Sequence, residues 1–184
     1  VYNRFMSQLK VNSIVPSGGL ASGAFGGIVQ VVTAFKSNVF TTQVNGMNWV
    51  DVTGMSLNIT PQSASSRILV QVTIGGMCIR STNQRYAVGL KRGSTLIGQA
   101  TDTDSRTAAS VGSMNFEGGS NGIENGAAFH FIDHPNTTSA TTYKVCVNAE
   151  GNGHTVCINR SDSDSNSNSV FRTSSTITAY ELGG

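Results

Sequence analysis

Residues 66 to 74, SRILVQVTI, alternate in character with a period of two: Ile68, Val70, Val72 and Ile74 fall on one face of an extended chain, Leu69, Gln71 and Thr73 on the other. A helix would scatter these apolar groups around its axis, so the run commits the chain locally to a strand. The same pattern returns in TTYKVCVNA, residues 141 to 149, with Tyr143, Val145 and Val147 on the core face and Lys144, Cys146 and Asn148 opposite. β-Branched runs bounded by Gly, Asn, Ser and Asp clusters predict strands near 28–34, 38–43, 47–52, 55–60, 67–79, 86–92, 94–99, 111–117, 127–133, 141–149, 154–159 and 170–182. Helical periodicity is nearly absent. The expected fold is all-β, an antiparallel β-sandwich.

The first 27 residues do not fit that sandwich. LKVNSIV, residues 9 to 15, reads as one apolar strand, and PSGGLASGAFGG, residues 16 to 27, has too few large side chains to form a core. Fully extended, the latter spans up to roughly 40 Å. An isolated strand is unstable in water, so Leu9, Val11 and Ile14 are expected to dock on a partner: symmetry mates or another protein's sheet edge. The chain divides into an attachment arm with a Gly-rich tether, 1–27, and a sandwich domain, 28–184.

Charged residues make up 12% of the chain, about half the roughly 25% usual in soluble proteins. A surface this poor in charge is commonly covered by neighbours. The net charge of +2 comes from scattered Lys and Arg, which argues against nucleic acid and anionic membranes as partners. No apolar run is long enough for a spanning helix, and no signal peptide is visible.

Candidate chemistry is sparse. SDSDSNSN places Asp162, Asp164 and Asn166 as a calcium loop would, but Ser167 and Thr173 stand where Gly and Glu are required. His130, Asp133 and His134 cannot converge on a metal from one strand, because Asp133 points away from the two histidines. No nucleophile elbow, phosphate loop or zinc-hydrolase motif occurs, so neither an enzyme nor a cofactor is expected. Asn58, Asn136 and Asn159 begin glycosylation-type triplets, which are common by chance in an Asn/Ser/Thr-rich chain. If residues 150 to 153 form a four-residue hairpin loop, Cys146 lies opposite Cys157 within disulfide reach. Long connections at 99–112, 117–126 and 160–169 are expected at the ends of the sheets.

The segments LKVNSIVP, GGIVQVV, WVDVTGMSLNITPQSASSRILVQVTI, VGLKRGSTLIG, ATTYKV and SSTITAYEL resemble the fibre proteins of tailed phages, above all those of marine and cyanobacterial phages. The likeness runs from residue 9 to 182 and is most distinctive over 49–74. It implies a virion structural protein, assembled in the host cytoplasm. The arm would hold it to other virion proteins, and a homotrimeric jelly-roll knob, similar to C1q and tumour-necrosis-factor domains, would meet a host surface glycan or protein. The chain lacks the coiled coil or shaft of a long fibre, which leaves a head fibre or a capsid decoration protein as the alternative. The resemblance names no receptor-contact residues.

Overall fold

The computed structural model describes residues 27–80, 84–101, 104–114 and 125–183. Leu9, Val11 and Ile14 of the expected arm lie outside the described residues. Eleven strands and no helix are found among those described: β1 (Ile28–Lys36), β2 (Phe40–Val44), β3 (Val50–Ile59), β4 (Arg67–Ile79), β5 (Arg85–Arg92), β6 (Thr95–Ile97), β7 (Val111–Met114), β8 (Asn125–Asp133), β9 (Thr141–Ala149), β10 (His154–Ile158) and β11 (Ser175–Leu182).

They form two antiparallel sheets. The first runs β1-β11-β4, then divides at the long β4; the second runs β3-β9-β5, with β6 and β7 both on β5. Met77 pairs with both Asn125 of β8 and Ile158 of β10, so these strands lie on opposite edges of β4. β11 takes the β10 edge along Arg67 to Thr73. Setting aside β2, β6 and β10, the remaining strands lie in the order first-eighth-third-sixth and second-seventh-fourth-fifth. This is the two-Greek-key order of a jelly roll. The chain enters and leaves at one point, where the Gly183 amide donates to the Gly27 carbonyl at 3.0 Å.

The alternation read from the sequence fills the core. Ile68, Val70, Val72 and Ile74 from one sheet meet Tyr143, Val145 and Val147 from the other, and all seven are buried. Two expected strands, 47–52 and 55–60, are one. Gly54, at φ +86°, takes up the irregularity between Asp51 and Ser56 and lets β3 continue along β9.

The expected hairpin at 149–154 does not form. β9 lies in the second sheet beside β3 and β5, while β10 lies in the first between β2 and β4. Residues 150–153 therefore cross from sheet to sheet, with Gly151 and Gly153 at positive φ. Val145 and Val147 still share a core with Val156 and Ile158, but across the sandwich rather than along a ladder. A period of two fixes which face a residue occupies; it does not fix which strand lies beside it.

Candidate interaction face

The outer surface of the β1-β11-β4-β8 sheet is the feature of this molecule that most needs an explanation. Val31 pairs with Tyr180, Tyr180 with Leu69 and Leu69 with Ile132, so one row across four strands is wholly apolar or aromatic. Val31 is 51% exposed and Ile132 42%. Two rows along, Phe35, 63% exposed, stands beside Thr176. Between them run Thr33, Thr178, Gln71 and His130. Arg67 carries the only permanent charge among the outward positions of these four strands. Such a surface is cheap to desolvate, because burying it strands almost no charge.

The exposed parts of Val29, Val31, Phe35 and Ile132 amount to roughly 350 Å², taking about 150–200 Å² for each large side chain. A typical monomer's largest apolar patch is about 300–600 Å², and such patches are often functional. β1 is also an edge strand, paired only with β11 among the described residues. Its second edge can accept another strand.

The outer surface of the second sheet is organised differently. Asp51 lies between Lys91 and Lys144, its two carboxylate oxygens 2.6 and 2.9 Å from their ammonium nitrogens. Partial burial would raise its pKa, but the two lysines outweigh this and hold it below the usual carboxylate value. Beside them Trp49 lies on Gly89, where an added Cβ would come 2.8 Å from the indole ring. Further along, a trough of about 630 Å³ is floored by Ala87, Gly112 and Asn148 and walled by Met47, Arg85 and Arg106. Both guanidinium groups already face carboxylates, Arg85 on Glu150 at 2.7 Å and Arg106 on Asp104 at 2.9 Å.

The residues singled out from the sequence are placed as follows. Cys146 and Cys157 are in different sheets, so the expected pairing is corrected: Cys157 sits opposite Cys78 of β4. None of the three cysteines is in a disulfide. Burial raises the Cys146 thiol to about 12. Asp133 turns inward, accepting from the Tyr143 hydroxyl at 2.6 Å and from Arg92 at 3.0 Å, while His130 and His134 stay exposed. Asp162 and Asp164 are taken by arginines, Arg80 at 2.8 Å and Arg172 at 2.6 Å. No group of three metal-ligating side chains occurs among the described residues.

Asn159 is fully buried at φ +64°; its amide donates to the carbonyls of Lys36 and Asn38 and accepts from the Ser175 hydroxyl. It is a structural clamp, closed to a glycan.

No family model matches the chain, and no curated protein does. Solved structures similar to it include those of infectious bursal disease virus. The Gt strain aligns over 96% of this chain and 43% of its own at 15% identity and a TM-score of 0.35. The Gx strain aligns over 85% and 37% at 13% and 0.34, and the VP2 subviral particle over 84% and 38% at 13% and 0.32. The chain thus spans about two fifths of the length of those proteins, and TM-scores this low carry no argument. The jelly-roll assignment rests on the strand order above.

Proposed function

We propose that this chain is a non-enzymatic virion structural protein, a fibre or fibre-like appendage of a tailed phage, whose sandwich associates in threes through the outer face of the β1-β11-β4-β8 sheet. The apolar, charge-poor row Val31–Tyr180–Leu69–Ile132 carries the reading. A heterologous contact repeated about a threefold axis closes on itself and hides that row completely, without leaving a surface for open-ended growth. Residues 1–27 lead into β1 at the rim of this face, where an attachment arm for tail or capsid proteins belongs. The loops away from that rim are left to face a host surface glycan or protein, and three copies raise weak binding through effective concentration. A head fibre or decoration protein would use the same face and arm without a receptor.

Light scattering on the full chain and on a variant lacking residues 1–27 tests the association. The shortened variant keeps every described strand and the described core, so a threefold mass is expected for both. Val31→Glu with Ile132→Glu should fall to the single-chain mass with an unchanged β-sheet circular dichroism spectrum. A single-chain mass for the unaltered protein at all concentrations would overturn the proposal. Binding of the trimer to host cells separates appendage from decoration protein.

A further inference from the structure

The outer side of the first sheet carries a second feature, at the end of β4 away from Arg67. Cys78 and Cys157 are opposed across β4 and β10, and both are fully buried. Their strand neighbours Met77, Ile79, Val156 and Ile158 point into the core, so alternation turns both thiols to the outer face. The Arg80 amide donates to the Thr155 carbonyl and the Asn159 amide to the Gly76 carbonyl, each at 2.8 Å. These pairs lie two residues on either side in the same register, which makes Cys78 and Cys157 a hydrogen-bonded pair. Directly opposed residues of that type have Cα atoms about 5.5 Å apart, at the centre of the range a disulfide spans. The two thiols also act on each other, Cys78 lowering the Cys157 pKa.

The chain leaving β10 supplies a cover on the Cys157 side, where the Arg160 charge acts on the thiol. Residues 159–174 return across this end of the sheet: the Thr173 amide reaches the Asn159 carbonyl, and the Ser174 carbonyl lies over Gly75, 2.2 Å from where a Cβ would stand. Arg80 of the sheet holds the cover through Asp162 at 2.8 Å, and Arg172 braces it internally by a two-point contact with Asp164.

We propose that Cys78 and Cys157 form a dithiol–disulfide site that small-molecule disulfides oxidise to an intramolecular cross-strand bond when the 159–174 cover opens. The Cys157 thiolate attacks one sulfur of the reagent, forming a mixed disulfide and releasing one thiolate. The Cys78 thiol then gives up its proton to solvent and attacks Cys157 Sγ, and the second reagent thiolate leaves. Two protein thiols and one reagent disulfide become one protein disulfide and two reagent thiols. Cys157 is suited to the first attack: the hydrogen bond from Cys78, another from Thr41 and the charges of Arg160 and Arg80 outweigh burial and hold its pKa below the ordinary thiol value. Cys146 takes no part, being in the other sheet with its pKa raised.

The test is incubation of the full-length protein with oxidised or reduced glutathione, followed by alkylation in denaturant and peptide mapping. Oxidation should remove two of three alkylatable thiols per chain and yield a Cys78–Cys157 linked peptide. Asp162→Ala should speed the reaction several-fold by loosening the cover. Cys146→Ser should still form the link, and Cys157→Ser should abolish it. Three alkylatable thiols after prolonged oxidation at a temperature where the cover exchanges, or a link that includes Cys146 or joins two chains, would overturn the assignment.

Discussion

Replacing Glu181 should unfold this protein more readily than replacing any of its surface carboxylates. Glu181 ends the inward row of β11 and is fully buried. It accepts from Ser66 Oγ at 2.6 Å, Gln30 Nε2 at 2.6 Å and the Gln62 amide at 2.7 Å. These bonds join β1, β11 and the turn after β3 at one corner of the sandwich. In Glu181→Ala, Gln30 keeps the Thr60 carbonyl and Ser66 can rotate, but the Gln62 amide loses its acceptor. Orphaning this part-buried donor costs about 1 kcal/mol and the other two lost charge-assisted bonds about 2 kcal/mol more, so about 3 kcal/mol is expected in all. For a chain of this size that is a fall in Tm of roughly 6–12 °C. Glu181→Gln should cost less, about 2 kcal/mol, because one amide oxygen can still serve Ser66 and Gln62, while Gln30, whose amide nitrogen is held by the Thr60 carbonyl, cannot turn to accept from the new nitrogen.

The pH dependence separates the charge from the shape. Burial alone would raise the Glu181 pKa; the donors of Ser66, Gln30, Gln62 and Ser63 outweigh it and the folded-state value is lowered. A lowered folded value means that this stabilisation is complete above the unfolded pKa of about 4.3 and is lost as pH falls through the folded one. Urea titrations from pH 7 to pH 3 should show a steeper acid loss in the unaltered protein than in Glu181→Gln. Glu181→Ala within about 0.5 kcal/mol of the unaltered protein at pH 7, or identical acid limbs for Glu181→Gln, would refute the reasoning.

Two further predictions rest on other corners of the fold, and one on the thiol pair. Gly75→Ala sets a Cβ against the Ser174 carbonyl of the cover and should cost about 2–3 kcal/mol in a urea titration, through crowding alone. Tyr143→Phe removes the buried hydroxyl from Asp133, which keeps Arg92, and should cost about 1–2 kcal/mol by the same measurement. Oxidising Cys78 and Cys157 closes a loop of about 80 residues and should add about 4 kcal/mol in the chain-entropy account, read as a Tm that falls back on reduction.

The sequence carried the faces of the strands better than their neighbours. Period-two alternation put Ile68 to Ile74 and Tyr143 to Val147 in the core because a pleated chain leaves no other choice. It was silent on partnership at residues 150–153, where a four-residue link serves a hairpin and a sheet-to-sheet crossing equally well. The cysteine pairing failed with it: Cys157 had an opposite number, but on β4. STITAYEL did contain the signal for its buried acid, since Ile177, Ala179 and Glu181 share one face. What it could not reveal was that Ser66, Gln30 and the Gln62 amide would gather to receive that charge. Asn159 gave no local sign of its clamp, because two of its three partners come from more than a hundred residues earlier and the third, Ser175, from the next strand. The apolar outer row was partly legible, with Leu69 already on the second face of its strand.

The single tryptophan of this chain is a built-in optical reporter. Trp49 rests on the bare backbone of Gly89, with the Cys146 sulfur near the same point, and a nearby thiol dims indole emission. Unfolding removes that neighbour and wets the ring, so brightness and colour change together when the second sheet comes apart. The indole is on the sheet opposite both the apolar row and the Cys78–Cys157 pair, so its light should register loss of the fold while leaving association and oxidation of the first sheet largely invisible.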